Sequence, residues 1–153
     1  MSGQSGTAAA RAAVERELTK LLRRSRASST RLAGEVHPDL DAAGSALLVT
    51  VLELGEALPG GVRAADVTHA VGLHKSTTSR NISQLESLGL IERVPDRSDA
   101  RARLLRVTTE GRAAVSRSRQ ARRRRLAAQM DGWSTADLEE LARLLGRLND
   151  ELL

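Results

Sequence analysis

Between residues 64 and 107 the apolar positions shift from a helical period to strand-like alternation, and polar or glycine punctuation marks each change. A short helical run over 64–71 ends at Gly72-Leu73. His74-Lys75-Ser76-Thr77 opens the next helix, where exposed backbone N–H groups need polar partners. Two helices joined by so short a turn form a helix-turn-helix unit. Within residues 76–89, Thr78, Ile82, Leu85 and Gly89 fall at i, i+4, i+7 and i+11, on one side of a 3.6-residue period. The other side carries Ser76, Ser79, Arg80, Ser83 and Ser87, a mostly short polar face that lets a helix approach base edges and phosphates closely. Gly89 suits a left-handed helix end. Residues 90–94 then have strand composition, Pro95 is expected to break the strand, residues 96–102 form a charged turn, and residues 103–107 return as a second strand. Arg97 and Arg101 at the hairpin tip suit a minor groove, whose narrow A·T-rich form has enhanced negative potential. Asp99, two residues from Arg101, is expected to orient that guanidinium through a charge-assisted hydrogen bond.

The flanking segments read as helices with another purpose. Residues 8–32 carry Val14, Leu18, Leu21, Leu22 and Ser25 at helical spacing, and the stretch from Gly34 to Pro38 is expected to stop that helix. Residues 40–58 follow with Leu47, Leu48, Val51, Leu52 and Leu54, and close at Pro59-Gly60-Gly61. Thr108 is placed to cap a long helix to residue 130, which Asp131-Gly132 breaks. Ser134-Thr135-Ala136-Asp137 reads as a capping box, with Trp133 and Leu138 as its hydrophobic staple. The last helix, over 135–152, aligns Leu138, Leu141, Leu144, Leu145 and Leu148 in one stripe. A small monomer does not keep so much leucine in water, so the first and last helices predict a dimer. Arg122, Arg123, Arg124 and Arg125 wrap a helix on every side, so one of them must turn inward or toward a partner. The four serve as an exposed face with snorkelling stems, or one of them binds an anionic effector or the DNA backbone.

The fold class that follows is mostly α with a small β-hairpin. It is a single domain of 153 residues: a winged helix-turn-helix over 40–108, flanked by N- and C-terminal dimerisation helices at 8–33 and 109–153. Apolar residues make up 41% of the chain, but with no Phe or Tyr and one Trp the core must be built from Leu, Val, Ile and Ala. The absence of cysteine removes disulfides, thiolate metal sites and cysteine redox sensing. No apolar run reaches the roughly 18 residues of a membrane span, and the first ten residues lack the regions of a signal peptide, so a cytoplasmic location away from membranes is expected. The net charge of +5 is unevenly placed. Residues 1–62 balance seven basic against seven acidic groups, 63–108 hold eight against five, and 109–153 nine against seven, which concentrates the surplus where phosphates would lie. An arginine-, alanine- and leucine-rich chain with two lysines is also what a GC-rich genome is expected to encode, so part of the arginine bias is expected to be codon usage. His37, His69 and His74 lack metal-ligand spacing, the carboxylates form no general acid–base pair, and Gly60-Gly61 is a turn. No metal, cofactor or enzymatic activity is expected.

The run KSTTSRNISQLESLGLIERVPDRSDARARLLRVTTEGR resembles the MarR family of bacterial winged-helix transcriptional regulators. It carries the Ser-Thr-x-x-Ser-Arg pattern at Ser76, Thr77, Ser79 and Arg80, and the helix exit at Leu85, Glu86, Gly89, Leu90 and Arg93. The wing Asp-x-Arg stands at Asp99 and Arg101, and the Thr-x-x-Gly that follows at Thr108 and Gly111. Two positions depart from the pattern: His74 stands where Ser or Asp is common, and Ala100 where a second Arg is common. The resemblance implies DNA contacts from Lys75, Ser76, Thr77, Ser79, Arg80, Gln84, Arg97 and Arg101, with Asp99 in support, and a homodimer formed by the terminal helices. A two-fold dimer sets recognition helices about 34 to 36 Å apart, and so asks for a pseudo-palindromic operator of about 16 to 20 base pairs in double-stranded DNA. The resemblance also implies a pocket between dimerisation helices and winged helix for a small phenolic or anionic effector, with Arg11, Arg16, Arg23 and His37 as candidate partners. The lack of aromatics argues against a stacking cage there. Such a ligand would relieve repression by favouring a dimer whose recognition helices are wrongly spaced. Two other readings stay open: a winged helix used as a protein-interaction module, and a non-specific architectural DNA-binding protein.

Overall fold

The computed structural model describes residues 2–99 and 101–151, with side chains from residue 6 onward. Its elements run α1 (Ser2–Val36), α2 (Ala42–Ala57), α3 (Ala64–Val71), α4 (Lys75–Ser87), β1 (Ile91–Pro95), β2 (Arg103–Val107), α5 (Thr109–Gln129) and α6 (Thr135–Glu151). Ala100, in the wing, and Leu152, the expected end of the last helix, lie outside the described residues. The chain divides into a unit ending at Ser118 and a second unit beginning at Arg119.

In the first unit, α1 runs past the glycine expected to help stop it. Gly34 sits in open space inside the helix, and the His37 N–H still donates to the Ala33 carbonyl at 3.1 Å. An interior glycine costs only about 0.5–1 kcal/mol relative to alanine. Ala33 and Val36, both buried, give this last turn a reason to persist. Pro38 is the residue that ends it, because proline bars the helical conformation from the residue before it. Asp41 then caps α2, its Oδ1 accepting the Gly44 N–H at 2.7 Å, and Leu47, Leu48, Val51 and Leu52 go into the core as expected. Val62, Val67, Ile82, Leu85, Leu90, Ile91, Leu105, Val107, Ala114 and Val115 complete that core, so aliphatic side chains alone close it.

The hairpin corrects one expectation. Pro95 does not break β1 but is its last residue, opposite Arg103 in an antiparallel register that runs back to Ile91 opposite Val107. The next pair is closed by the Asp96 N–H on the Ala102 carbonyl, and antiparallel pairs alternate between bonded and non-bonded. Pro95 therefore occupies a non-bonded pair, with its nitrogen on the outer edge, where the missing N–H costs nothing. Leu105 obeys the same alternation. Its outward N–H and C=O pair with Val62 at 2.8 and 2.9 Å, which pins β2 to the segment between α2 and α3.

Residues 119–151 carry the end of α5, a turn at Gly132 (φ +87°) and α6. Half of the expected capping box is present: Ser134 Oγ accepts the Asp137 N–H at 3.1 Å, but the Asp137 carboxylate accepts the Ser134 hydroxyl at 2.6 Å in place of the Ser134 backbone N–H. Leu141, Leu144 and Leu145 are 36%, 46% and 41% exposed, and no described side chain of α6 is buried. Arg122, Arg123 and Arg124 are exposed and Arg125 is half-buried. No helix among the described residues is long and apolar enough to cross a membrane.

Candidate nucleic-acid interface

The helix-turn-helix is held at its joint by one residue. Gly72 adopts a left-handed φ of +68°, which turns the chain from α3 toward α4 while its N–H bonds the carbonyls of Thr68 and His69. His74 opens α4 in extended conformation without a side-chain cap, so the first-turn N–H groups of α4 receive nothing from its imidazole. The helix ends in a Schellman motif. Leu90 N–H reaches the Leu85 carbonyl at 3.0 Å and Gly89 N–H the Glu86 carbonyl at 2.9 Å, with Gly89 at φ +69°.

The buried side of α4 consists of Thr78, Asn81, Ile82 and Leu85. Asn81 was not expected there. Its amide donates to the Thr77 carbonyl at 3.1 Å, and its Oδ1 lies toward Gly44 of α2. The sequence signal for it was positional: it lies three residues after Thr78 and four before Leu85, on the same face. Ser76, Ser79, Arg80, Ser83 and Ser87 are exposed together on the other side, and Lys75 is exposed at the helix start. Thr77 and Gln84 are half-buried on the flank between these faces. Gln84 Nε2 donates to the Asp39 carbonyl at 2.7 Å, so its amide is directed at the α1–α2 connection. On the other flank, Arg93 Nε donates to Glu86 Oε2 at 2.9 Å.

The wing tip is organised by carboxylates bonding backbone. Asp96 Oδ1 accepts both the N–H and the hydroxyl of Ser98, at 2.8 and 2.7 Å. Asp99 Oδ1 accepts the backbone N–H of Arg101 at 3.0 Å, and the Asp99 carbonyl accepts the Ala102 N–H. This corrects the expectation that Asp99 orients the Arg101 guanidinium. A carboxylate two residues before an N–H readily closes an Asx-turn. Asp99 thus shapes the loop from which Arg97 and Arg101 project, both exposed.

The cations of the winged helix fall into two sets. Arg63, Arg93 and Arg106 are committed to Asp96, Glu86 and Glu92 at 3.1, 2.9 and 2.9 Å. Lys75, Arg80, Arg97 and Arg101 are exposed and, among the described residues, form no ion pair. Arg103 at the start of β2 joins this second set, although the sequence reading passed over it as a strand residue. Unpaired exposed guanidinium and ammonium groups flanking a short polar helix face suit a polyanion.

The expected effector residues are not gathered. Arg11, Arg16 and Arg23 are exposed along α1, with about 18 Å of helix between the first and the last, and His37 lies beyond the end of α1. His37 Nδ1 accepts the Asp39 N–H at 3.2 Å. A groove of about 680 Å³ lies instead between α3 and α4, with His69, Lys75, Thr78, Ser79 and Arg93 among its lining residues. Thr78 is 1% exposed and its hydroxyl oxygen has no hydrogen-bond partner among the described residues. No group of three His, Asp or Glu that could hold a metal ion occurs among the described residues.

Residues 48–102 match the model of the MarR family. The fold is similar to that of a MarR family transcription regulator, at 22% identity and TM-score 0.75, over 99% of this chain and 95% of that one. It is also similar to RV1404 from Mycobacterium tuberculosis, at 22% identity and TM-score 0.75 over 90% and 91% of the two chains. A MarR family protein from Bacillus stearothermophilus matches at 23% identity and TM-score 0.72 over 91% and 95%. At these identities the structural likeness is one of fold.

Proposed function

We propose that this chain, which carries the winged helix of the MarR family at residues 48–102 and has the fold of MarR transcription regulators along most of its length, is a sequence-specific DNA-binding repressor. The observation that carries the reading is the division of charge. Three arginines of the winged helix are neutralised internally, whereas Lys75, Arg80, Arg97 and Arg101 are left exposed and unpaired beside the serine face of α4. In this reading α4 enters the major groove, with Ser76, Thr77, Ser79 and Arg80 against bases and phosphates and Lys75 on the backbone. The wing directs Arg101 and Arg97 to the minor groove. The protein acts as a cytoplasmic homodimer on a pseudo-palindromic operator and has no catalytic role. The exposed leucines of α6 and the exposed Val14, Leu21 and Leu22 of α1 support the dimer.

A small anionic or phenolic effector releases the operator. The groove between α3 and α4 is its best-supported seat, because it offers the unpaired Lys75 and the orphan Thr78 hydroxyl beside the DNA-reading helix. Benzoate should lower operator affinity in the natural protein and lose that effect in Thr78→Val.

Fluorescence anisotropy against the upstream intergenic duplex and a scrambled duplex, at about 0.15 M salt, tests the reading. A preference of a thousandfold or more is expected, as for specific regulators. Arg80→Ala should relax specificity by about 1–3 kcal/mol at one base position of each half-site, and Lys75→Ala should lower affinity on all sequences while reducing the salt slope of the dimer by about 2, roughly 0.9 for each lost phosphate contact. Equal binding to both duplexes would favour an architectural protein, and no binding a protein-interaction module.

A further inference from the structure

The DNA-reading helix is gripped on both flanks, and the two grips differ in what they hold. Apolar burial sets the depth of a helix but is non-directional, so packing of Ile82 and Leu85 alone leaves α4 free to roll by small angles. Directional bonds restrict that roll. Gln84 and Glu86 bracket an arc of about 160° around the helix, with the exposed Ser76, Arg80, Ser83 and Ser87 face between them. Glu86 is tied to Arg93 of β1, within the winged helix itself. Gln84 is tied 45 residues back in the chain, to the Asp39 carbonyl in the connection that leaves α1.

That carbonyl is a firm anchor. The Asp39 N–H donates to His37 Nδ1, the Leu40 N–H donates to the His37 carbonyl at 3.0 Å, Leu40 is buried, and Asp41 caps α2. The peptide that receives Gln84 is thus fixed at both ends.

We propose that Gln84 is a positioning residue of the DNA-reading helix. Its amide ties the roll of α4 to the end of α1, so that the serine and arginine face meets a duplex in one orientation fixed by the helix that carries Val14, Leu21 and Leu22. This rests on the DNA-binding function proposed above. It replaces a direct base or phosphate contact from Gln84, since an amide nitrogen held on Asp39 is not free to take the pose that bidentate reading of a base requires.

Selection of binding sites from a randomised duplex pool tests both levels at once, using the full chain and its Gln84→Met and Gln84→Lys variants. Methionine keeps the length of the side chain and loses the donor; lysine keeps a donor. The natural protein is expected to yield a consensus, and failure to do so would remove the DNA-binding reading and this proposal with it. With a consensus in hand, Gln84→Met should select the same bases at every position. Its ratio of specific to non-specific affinity should fall roughly three- to tenfold, the scale of one hydrogen bond. Gln84→Lys should restore the ratio, because its added charge strengthens both affinities alike.

A changed preference at one base pair of each half-site would make Gln84 a base reader, and an unchanged ratio would make it inert. Either result overturns the proposal while the DNA-binding reading stands. In the complex with the selected duplex, the Gln84 side-chain amide should keep its nuclear Overhauser contact to the Asp39–Leu40 backbone. Loss of that contact on binding DNA would also overturn the proposal.

Discussion

Arg63 Nη2 donates to Asp96 Oδ2 at 3.1 Å, joining the residue that precedes α3 to the root of the wing, 33 positions later. The carboxylate also accepts two bonds from Ser98, and its side chain is only 10% exposed. The Ser98 hydroxyl, the Ser98 N–H and then Arg63 hold Asp96 below its ordinary pKa, against the opposing effect of burial. A depressed folded-state pKa means that the contribution of Asp96 to stability is present above the unfolded value of about 3.9, and is lost as pH falls through the lower folded value. The carboxyl ¹³C shift of Asp96 should therefore titrate at a lower pH than that of an unpaired aspartate. Ser98→Ala should raise that midpoint more than Arg63→Met does. A larger effect from Arg63→Met would mean that the cross-element ion pair, and not the local turn, controls this group.

Thr108 joins two elements through one hydroxyl, which donates to the Gly89 carbonyl at 2.6 Å and accepts the Gly111 N–H at 3.0 Å. It caps α5 while tying it to the exit of α4. Thr108→Val keeps the shape and removes both bonds, and should destabilise the fold by about 1–2 kcal/mol in urea denaturation. A loss below about 0.5 kcal/mol would show that water replaces both partners.

Gly111 and Gly34 should respond in opposite directions to alanine. A Cβ on Gly111 would run into the Leu90 carbonyl oxygen and lie 2.8 Å from Val107 Cγ1, so Gly111→Ala should cost more than about 2 kcal/mol through forced separation of α5 from Leu90 and the end of β2. A Cβ on Gly34 meets nothing within 4 Å inside a helix, so Gly34→Ala should stabilise by about 0.5–1 kcal/mol. Thermal melts of the two variants decide this, and equal shifts would contradict the packing at Gly111.

Leu144 and Leu145 test the proposed dimer. Each is more than a third exposed on α6, and burying one leucine is worth about 1.5–3 kcal/mol. Leu144→Glu should weaken the dimer roughly ten- to hundredfold per buried site, read by sedimentation velocity across a concentration series. An unchanged sedimentation coefficient at every concentration would place the interface elsewhere.

Local rules were enough for much of the molecule. The span of α3, the strand at 103–107, the glycine ends at Gly72 and Gly89, the Thr108 cap and the Ser134 cap were all legible, because each depends on residues within a turn or two of one another. The serine and arginine face of α4 was legible too, since its period alone separates it from Ile82 and Leu85. Contacts between distant segments were not. No local rule directs Gln84 to the Asp39 carbonyl, Arg63 to Asp96, or Leu105 to Val62, because each partner lies more than 30 residues away and its position is set by the packed core. Pro95 and the end of α1 depend on the same packing. Which edge of the hairpin the Pro95 nitrogen faces is set by the strand register, and α1 continues past Gly34 to Val36 because Ala33 and Val36 are buried. The sequence alone thus determined which helix carries a short polar face and which arginines lie on it and on the wing. The tertiary structure decided which of those side chains remain free to meet a partner, because a charge or an amide is available only where folding has not already supplied its partner.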